Sequence, residues 1–122
     1  MHDVHWLNEG RLLYVSYQGH QTAETLCECL DDMAKFMDTA KEPIFLIINW
    51  LEVTKAEKGV LQSNRGHRTY SHPMAARGIL VGFDPQEAFE NEVTSTRTRG
   101  DKNTTYFKNL EDALEYAKEF MK

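Results

Sequence analysis

The stretch Ile44-Phe45-Leu46-Ile47-Ile48-Asn49-Trp50-Leu51, opened by Pro43, constrains this chain more than any other segment. It is an almost unbroken apolar run rich in β-branched and aromatic residues. It is too short for an ordinary free-standing helix and follows a proline, so it reads as a β-strand. Being apolar in both alternating registers, it is a strand buried on both faces. Arg77-Gly78-Ile79-Leu80-Val81-Gly82-Phe83 is a second strand of the same kind. Two such ribbons need helices over both sides of one sheet, which directs the chain to the α/β class.

The remaining elements fit around these two. Val4–Leu7 and Arg11–Tyr17 read as a hairpin turned at Asn8-Glu9-Gly10, with glycine supplying the unusual backbone angle. Gly19-His20-Gln21-Thr22 is expected to break the second strand and lead into a helix. That helix carries Ala23, Leu26, Cys27, Leu30, Met33, Ala34 and Met37 at helical spacing. Lys55–Asn64 reads as a short helix, with Val60 and Leu61 as its small apolar contact, and Arg65–Pro73 as loop or broken helix. Asp84-Pro85-Gln86-Glu87 is a helix start. Thr104–Phe107 reads as a last strand, and Asn109 as the cap of a last helix bearing Leu110, Ala113, Leu114, Ala117 and Met121. The order β-β-α-β-α-β-α-β-α predicts a single α/β domain over residues 1–122. Its sheet is mixed and about five-stranded, with one antiparallel pair from the hairpin and parallel pairing elsewhere.

Composition excludes several functions. A chain of 122 residues with 41% hydrophobic and 27% charged residues is one globular domain rather than a disordered segment. A net charge of -5 argues against binding nucleic acid, whose phosphates it would repel. No apolar run approaches the length of a membrane span. Met1-His2-Asp3-Val4-His5 lacks the basic start and apolar core of a secretory signal, so a cytoplasmic location is expected. Cys27 and Cys29 lie two apart in a helical pattern and point in different directions, which disfavours a disulfide. Cys27 is expected to be buried on the apolar stripe and Cys29 to face the polar flank.

The segments Arg11–Gly19, Ile44–Val53, Arg77–Asp84 and Tyr106–Met121 follow one another as in a known family. The last contains Phe107-Lys108-Asn109-Leu110-Glu111-Asp112-Ala113-Leu114, an aromatic-xx-Leu-Glu-Asp-Ala-Leu pattern. Over almost its whole length the chain resembles the STAS-like fold of anti-sigma-factor antagonists, and more closely their SpoIIAA-like relatives. In the antagonists, a serine at the start of the helix after the central strand is phosphorylated, and the phosphate controls docking onto an anti-sigma factor. Here that stretch is Val53-Thr54-Lys55-Ala56-Glu57-Lys58-Gly59, with Glu57-Lys58 where the family has Asp-Ser. Thr54 and Ser63 are the nearest hydroxyls, and neither fits the motif. The resemblance thus implies the fold and a regulatory role, but not the phosphorylated residue.

Few residues suggest chemistry. Arg65-Gly66-His67-Arg68, with His72 and Arg77, is the densest cationic stretch, and guanidinium forks with backbone N–H groups suit a phosphate or carboxylate. Arg97-Thr98-Arg99-Gly100-Asp101-Lys102 is a second basic cluster that would form the opposite wall if the fold brought the two together. The candidate ligand-binding residues are therefore Arg65, His67, Arg68, His72, Arg97 and Arg99. The competing reading is a pair of solvated loops whose charges meet the acidic surface. His67 and His72 are five apart and do not share a helical face, so no metal site is expected. The carboxylate pairs Asp31-Asp32 and Glu111-Asp112 are accounted for by solvation and the helix dipole. Trp50 reads as core, and Tyr14 with Trp6 as a patch for a partner or second copy if they share the hairpin's less covered face.

Three functions follow. The first is a non-enzymatic regulatory or adaptor domain acting through a protein partner or as a homodimer. The second is a domain binding a small anionic or amphipathic ligand. The third is an enzyme using His67 or His72 as a base. The chain shows no nucleophile elbow or phosphate loop, and neither catalytic residues nor a cofactor are expected.

Overall fold

The computed structural model describes residues 1–63, 66–82 and 104–120. Five strands form one sheet in the order of the chain: β1 (His2–Asn8), β2 (Leu12–Gln21), β3 (Ile44–Ala56), β4 (Ala75–Val81) and β5 (Thr104–Phe107). β1 and β2 are antiparallel, and the three further pairings are parallel. The hairpin turn is closed by Arg11 N–H donating to Asn8 O at 2.9 Å, with Gly10 at φ 76°. This is the mixed five-stranded α/β architecture that the two apolar ribbons imply. The ribbons are direct neighbours, Ile47 opposite Ile79 and Ile48 opposite Leu80.

Alternation along the central strands divides the core in two. Leu13, Val15 and Tyr17 of β2, with Ile44 and Leu46 of β3, face helix α1 (Ala23–Asp38) and its Leu26, Leu30, Met33 and Met37. On the other face, Leu12, Ile47, Ile79 and Val81 meet Ala113 and Ala117 of α3 (Leu110–Phe120), the small alanines admitting this helix close to the sheet. Each fully buried Leu or Ile here contributes about 2 kcal/mol through the apolar area it removes from water. Asn109 caps α3 as its sequence suggests, its Oδ1 accepting from Asp112 N–H at 2.8 Å.

Several expectations are corrected. Gly19 does not end β2. It sits at φ 76° beside a register irregularity, and the strand continues to Gln21 through two such shifts. Thr22 then caps α1, its side chain accepting from Thr25 N–H while Thr25 Oγ1 accepts from Thr22 N–H. Gln21 is wholly buried and held by Gln18 O at 2.9 Å and Thr25 Oγ1 at 2.9 Å. β3 outruns its apolar run by five residues, to Ala56, so the expected helix from Lys55 is only α2 (Val60–Ser63).

The two cysteines exchange roles: Cys29 is fully buried and Cys27 half-buried. The stripe is centred on Leu26, Met33 and Met37, which puts position 29 inside its edge and position 27 on its margin. Burial pushes the Cys29 thiol up to about 12. Trp6 and Tyr14 lie on opposite faces. Trp6 is opposite Leu13 and packs edge-on against Phe36 of α1, whereas Tyr14 joins the α3 side. Trp50 is half-buried against Tyr17, its ring centroid 5.0 Å away. The helix expected from Asp84 lies outside the described residues.

Candidate functional site

Two surfaces concentrate the polar side chains. The first is the seam between α1 and the strap of residues 66–74 that leads into β4. Within the strap a 3-10 turn (Arg68–Ser71) is capped by His67, whose side chain accepts from Thr69 N–H. The turn and its two flanking residues aim His67, Arg68 and His72 at the solvent edge of α1. Arg68 grips Asp38 with both terminal nitrogens at 2.8 Å. His72 Nε2 lies 2.9 Å from the same carboxylate, while its Nδ1 accepts from Met74 N–H at 3.1 Å. His67 Nε2 reaches Asp31 Oδ1 at 2.7 Å. From the N-terminus, His2 Nε2 meets Asp32 Oδ2 at 2.6 Å. The Arg68 fork, with His72 beside it, holds the Asp38 carboxyl well below the usual carboxylate range, and Asp38 in turn raises Arg68.

This places three of the six candidate ligand residues together, His67, Arg68 and His72, each facing a carboxylate of α1. Arg65, Arg97 and Arg99 lie outside the described residues. Arg77 is on the other side of the sheet, where its Nη1 donates to Tyr116 OH at 3.2 Å. Sequence reasoning missed the acidic partners because they sit 30 to 36 positions upstream in α1. One further cluster escaped it for the same reason. Donor atoms of Cys27, Asp31 and His67 all lie within 4.8 Å of one another.

The second surface is the carboxyl end of the parallel strands, where open α/β sheets place their ligands. β4 pairs with β3 as far as Val81 opposite Asn49. Beyond that point, among the described residues, β3 is paired with β2 alone, through Glu52 opposite Gln18 to Ala56 opposite Gln21. Asn49 manages the departure. Its buried side chain accepts from Leu51 N–H at 2.8 Å and donates to Tyr14 OH at 2.9 Å. Gly82, at φ 83°, passes so close to β3 that an added Cβ would stand 2.8 Å from Leu51 Cδ2. The overhanging part of β3 presents Leu51, at 49% exposure, with Glu52, Thr54, Lys55 and Ala56 also exposed. Glu57, Lys58 and Gly59 continue the exposed surface into α2. Glu57 Oε1 accepts from Ala23 N–H at 3.1 Å, and Ser63 Oγ donates to Val60 O at 2.6 Å.

Neither family models nor curated protein sequences match the chain. Solved structures do. A DUF3478-family protein from Shewanella loihica PV-4, uncharacterised and with a SpoIIAA-like fold, superposes with a TM-score of 0.64. The match is at 15% identity and covers 96% of this chain and 92% of that one. The anti-sigma factor antagonist SpoIIAA in its unphosphorylated form superposes with a TM-score of 0.61 at 11% identity, over 97% of this chain and 98% of that one. The fold is SpoIIAA-like. The likeness spans both chains almost end to end. No helix of the described residues is long and apolar enough to cross a membrane.

Proposed function

We propose that this SpoIIAA-like domain is a cytoplasmic regulatory or adaptor module that works by docking a protein partner on the carboxyl-end surface formed by Leu51–Gly59. The observation that carries this reading is the overhang of β3. A strand that extends past the end of β4, still paired with β2 and with Leu51, Glu52, Thr54 and Lys55 exposed, offers an edge to a second protein. Its location adds support. It runs into the start of the helix after the central strand, the place at which the antagonist family controls docking. Thr54 is the one hydroxyl residue of Leu51–Gly59 and stands before the turn, so docking on the turn itself rests on the fixed charges Lys55, Glu57 and Lys58.

A photo-reactive amino acid introduced in place of Lys55 in cells tests this. The reading expects one discrete adduct with a protein partner, absent when the same group replaces Glu115 on α3. Adducts that are equal at both positions, or absent at both, would remove the docking surface from consideration. An adduct with a second copy of the chain would make the partner a homodimer.

The smaller alternative is an anionic ligand held by the strap. Its supporting observation is the convergence of His67, Arg68 and His72, and it requires Asp31 and Asp38 to release them. A ligand-induced rise in Tm that is lost in Arg68→Ala supports it, and a screen of phosphates and carboxylates with no such rise removes it.

A further inference from the structure

We propose that Cys27, Asp31 and His67 form a binding site for a single borderline-soft divalent cation, Zn²⁺ by preference, that clasps the strap to α1. The three donor types come from two elements. Cys27 and Asp31 are one helical turn apart on α1 and so share a face, and His67 is delivered across from the strap. Their donor atoms already lie within 4.8 Å of one another, and His67 Nε2 and Asp31 Oδ1 are 2.7 Å apart. Tetrahedral zinc draws its donors to within about 3.5 Å of each other. The His67–Asp31 pair opens and the Cys27 sulfur closes in to reach that spacing, movements of the half-buried Cys27 and the exposed Asp31 side chains.

The charge and the surroundings suit the ion. One thiolate, one carboxylate and one neutral imidazole offset the two positive charges of the metal, so the complex is neutral. The guanidinium of Arg68, the next residue after His67, is committed to Asp38 by two bonds. His67 also has the support that ligating histidines use. Its Nδ1 is 3.1 Å from Oγ1 of Thr69, which is only 4% exposed. In the metal-free protein Nε2–H donates to Asp31, and Nδ1 accepts from Thr69 N–H at 3.2 Å. With the metal bound, the imidazole proton resides on Nδ1, the cap bond from Thr69 N–H is given up in exchange for one from Nδ1–H to Thr69 Oγ1, and the Nε2 lone pair is freed. The Cys27 thiol gives its proton to solvent, so binding releases one proton per ion. Asp31 is 61% exposed, which leaves the fourth position to water.

Titration of the full chain with Co²⁺ alone, followed by Zn²⁺, tests the site. The expected result is a thiolate-to-cobalt charge-transfer band that saturates at one ion per chain, is bleached by Zn²⁺, and is retained in Cys29→Ala. Cys27→Ser should lose the band entirely while keeping the circular dichroism of the parent. Asp31→Asn should weaken cobalt binding about 10-fold or more. Zn²⁺ should also raise the Tm of the parent in a saturable way and leave that of Cys27→Ser unmoved. Absence of the band at excess cobalt, or its persistence in folded Cys27→Ser, would overturn the proposal.

Discussion

The seam between α1 and the strap and the overhang of β3 are both rich in charge, yet they use it in opposite ways. Along the seam, His2, His67, Arg68 and His72 each meet an aspartate of α1 within 3 Å, so these side chains are partnered within the molecule. Along the overhang, Glu52, Lys55 and Lys58 are exposed on a strand and turn that extend past the reach of β4. Charge density alone therefore does not mark a binding surface. Among the described residues, His67, Arg68 and His72 of the strap each already face a carboxylate of α1, whereas Glu52, Lys55 and Lys58 are exposed.

The largest expected effect separates the two regions at their structural root. Asn49→Ala leaves Leu51 N–H and Tyr14 OH without their buried partner and should cost about 2 kcal/mol in urea unfolding. Gly82→Ala should cost about 1–3 kcal/mol, because its φ of 83° and the contact with Leu51 both resist a side chain. If either variant unfolds at the parental midpoint, the departure of β3 from the sheet is not built as described.

A second contrast concerns the thiols. Iodoacetamide should modify Cys27 before Cys29, since Cys29 is fully buried and its thiol is pushed up to about 12. Peptide mapping of partly alkylated protein reads the order, and the reverse order would contradict the placement of α1.

Weaker effects follow at the seam itself. Arg68→Ala should lower Tm by less than Asn49→Ala, and the difference from the parent should shrink in high salt, as for any exposed ion pair. The Asp38 carboxyl is depressed in the folded state, so its pairing stabilises the protein above the ordinary aspartate value of about 4 and is lost as pH falls below it. Asp38→Asn should flatten the acid limb of a Tm-against-pH curve, and an unchanged limb would contradict the pairing. Smallest of all, exchanging Glu52→Lys and Lys55→Glu together should change stability by no more than about 0.5 kcal/mol while disrupting partner capture. A loss of stability there would mean that the overhang is structural.

The framework was legible because burial on both faces leaves a local trace. Ile44–Leu51 and Ile79–Val81 are apolar in both registers, and Ala113 and Ala117 repeat at helical spacing. The overhang was not legible, since a strand paired on one side and wetted by solvent needs no hydrophobic pattern, and Lys55 reads as the start of a helix. Gly19 misled because a bulge and a strand end make the same demand on the backbone. The cationic strap was visible as composition, whereas its aspartate partners on α1 belong to tertiary structure alone. Cys27 and Asp31 carry a helical spacing in plain view, but only the folded chain adds His67 to them.

Site-resolved hydrogen exchange along β3 tests the division of this strand most directly. The amides of Ile44–Asn49, held between β2 and β4, should exchange only through global unfolding, and those of Glu52–Ala56 should include members that exchange through local opening, orders of magnitude faster. Uniform protection from Ile44 to Ala56 would contradict an open overhang and would take the proposed docking surface with it.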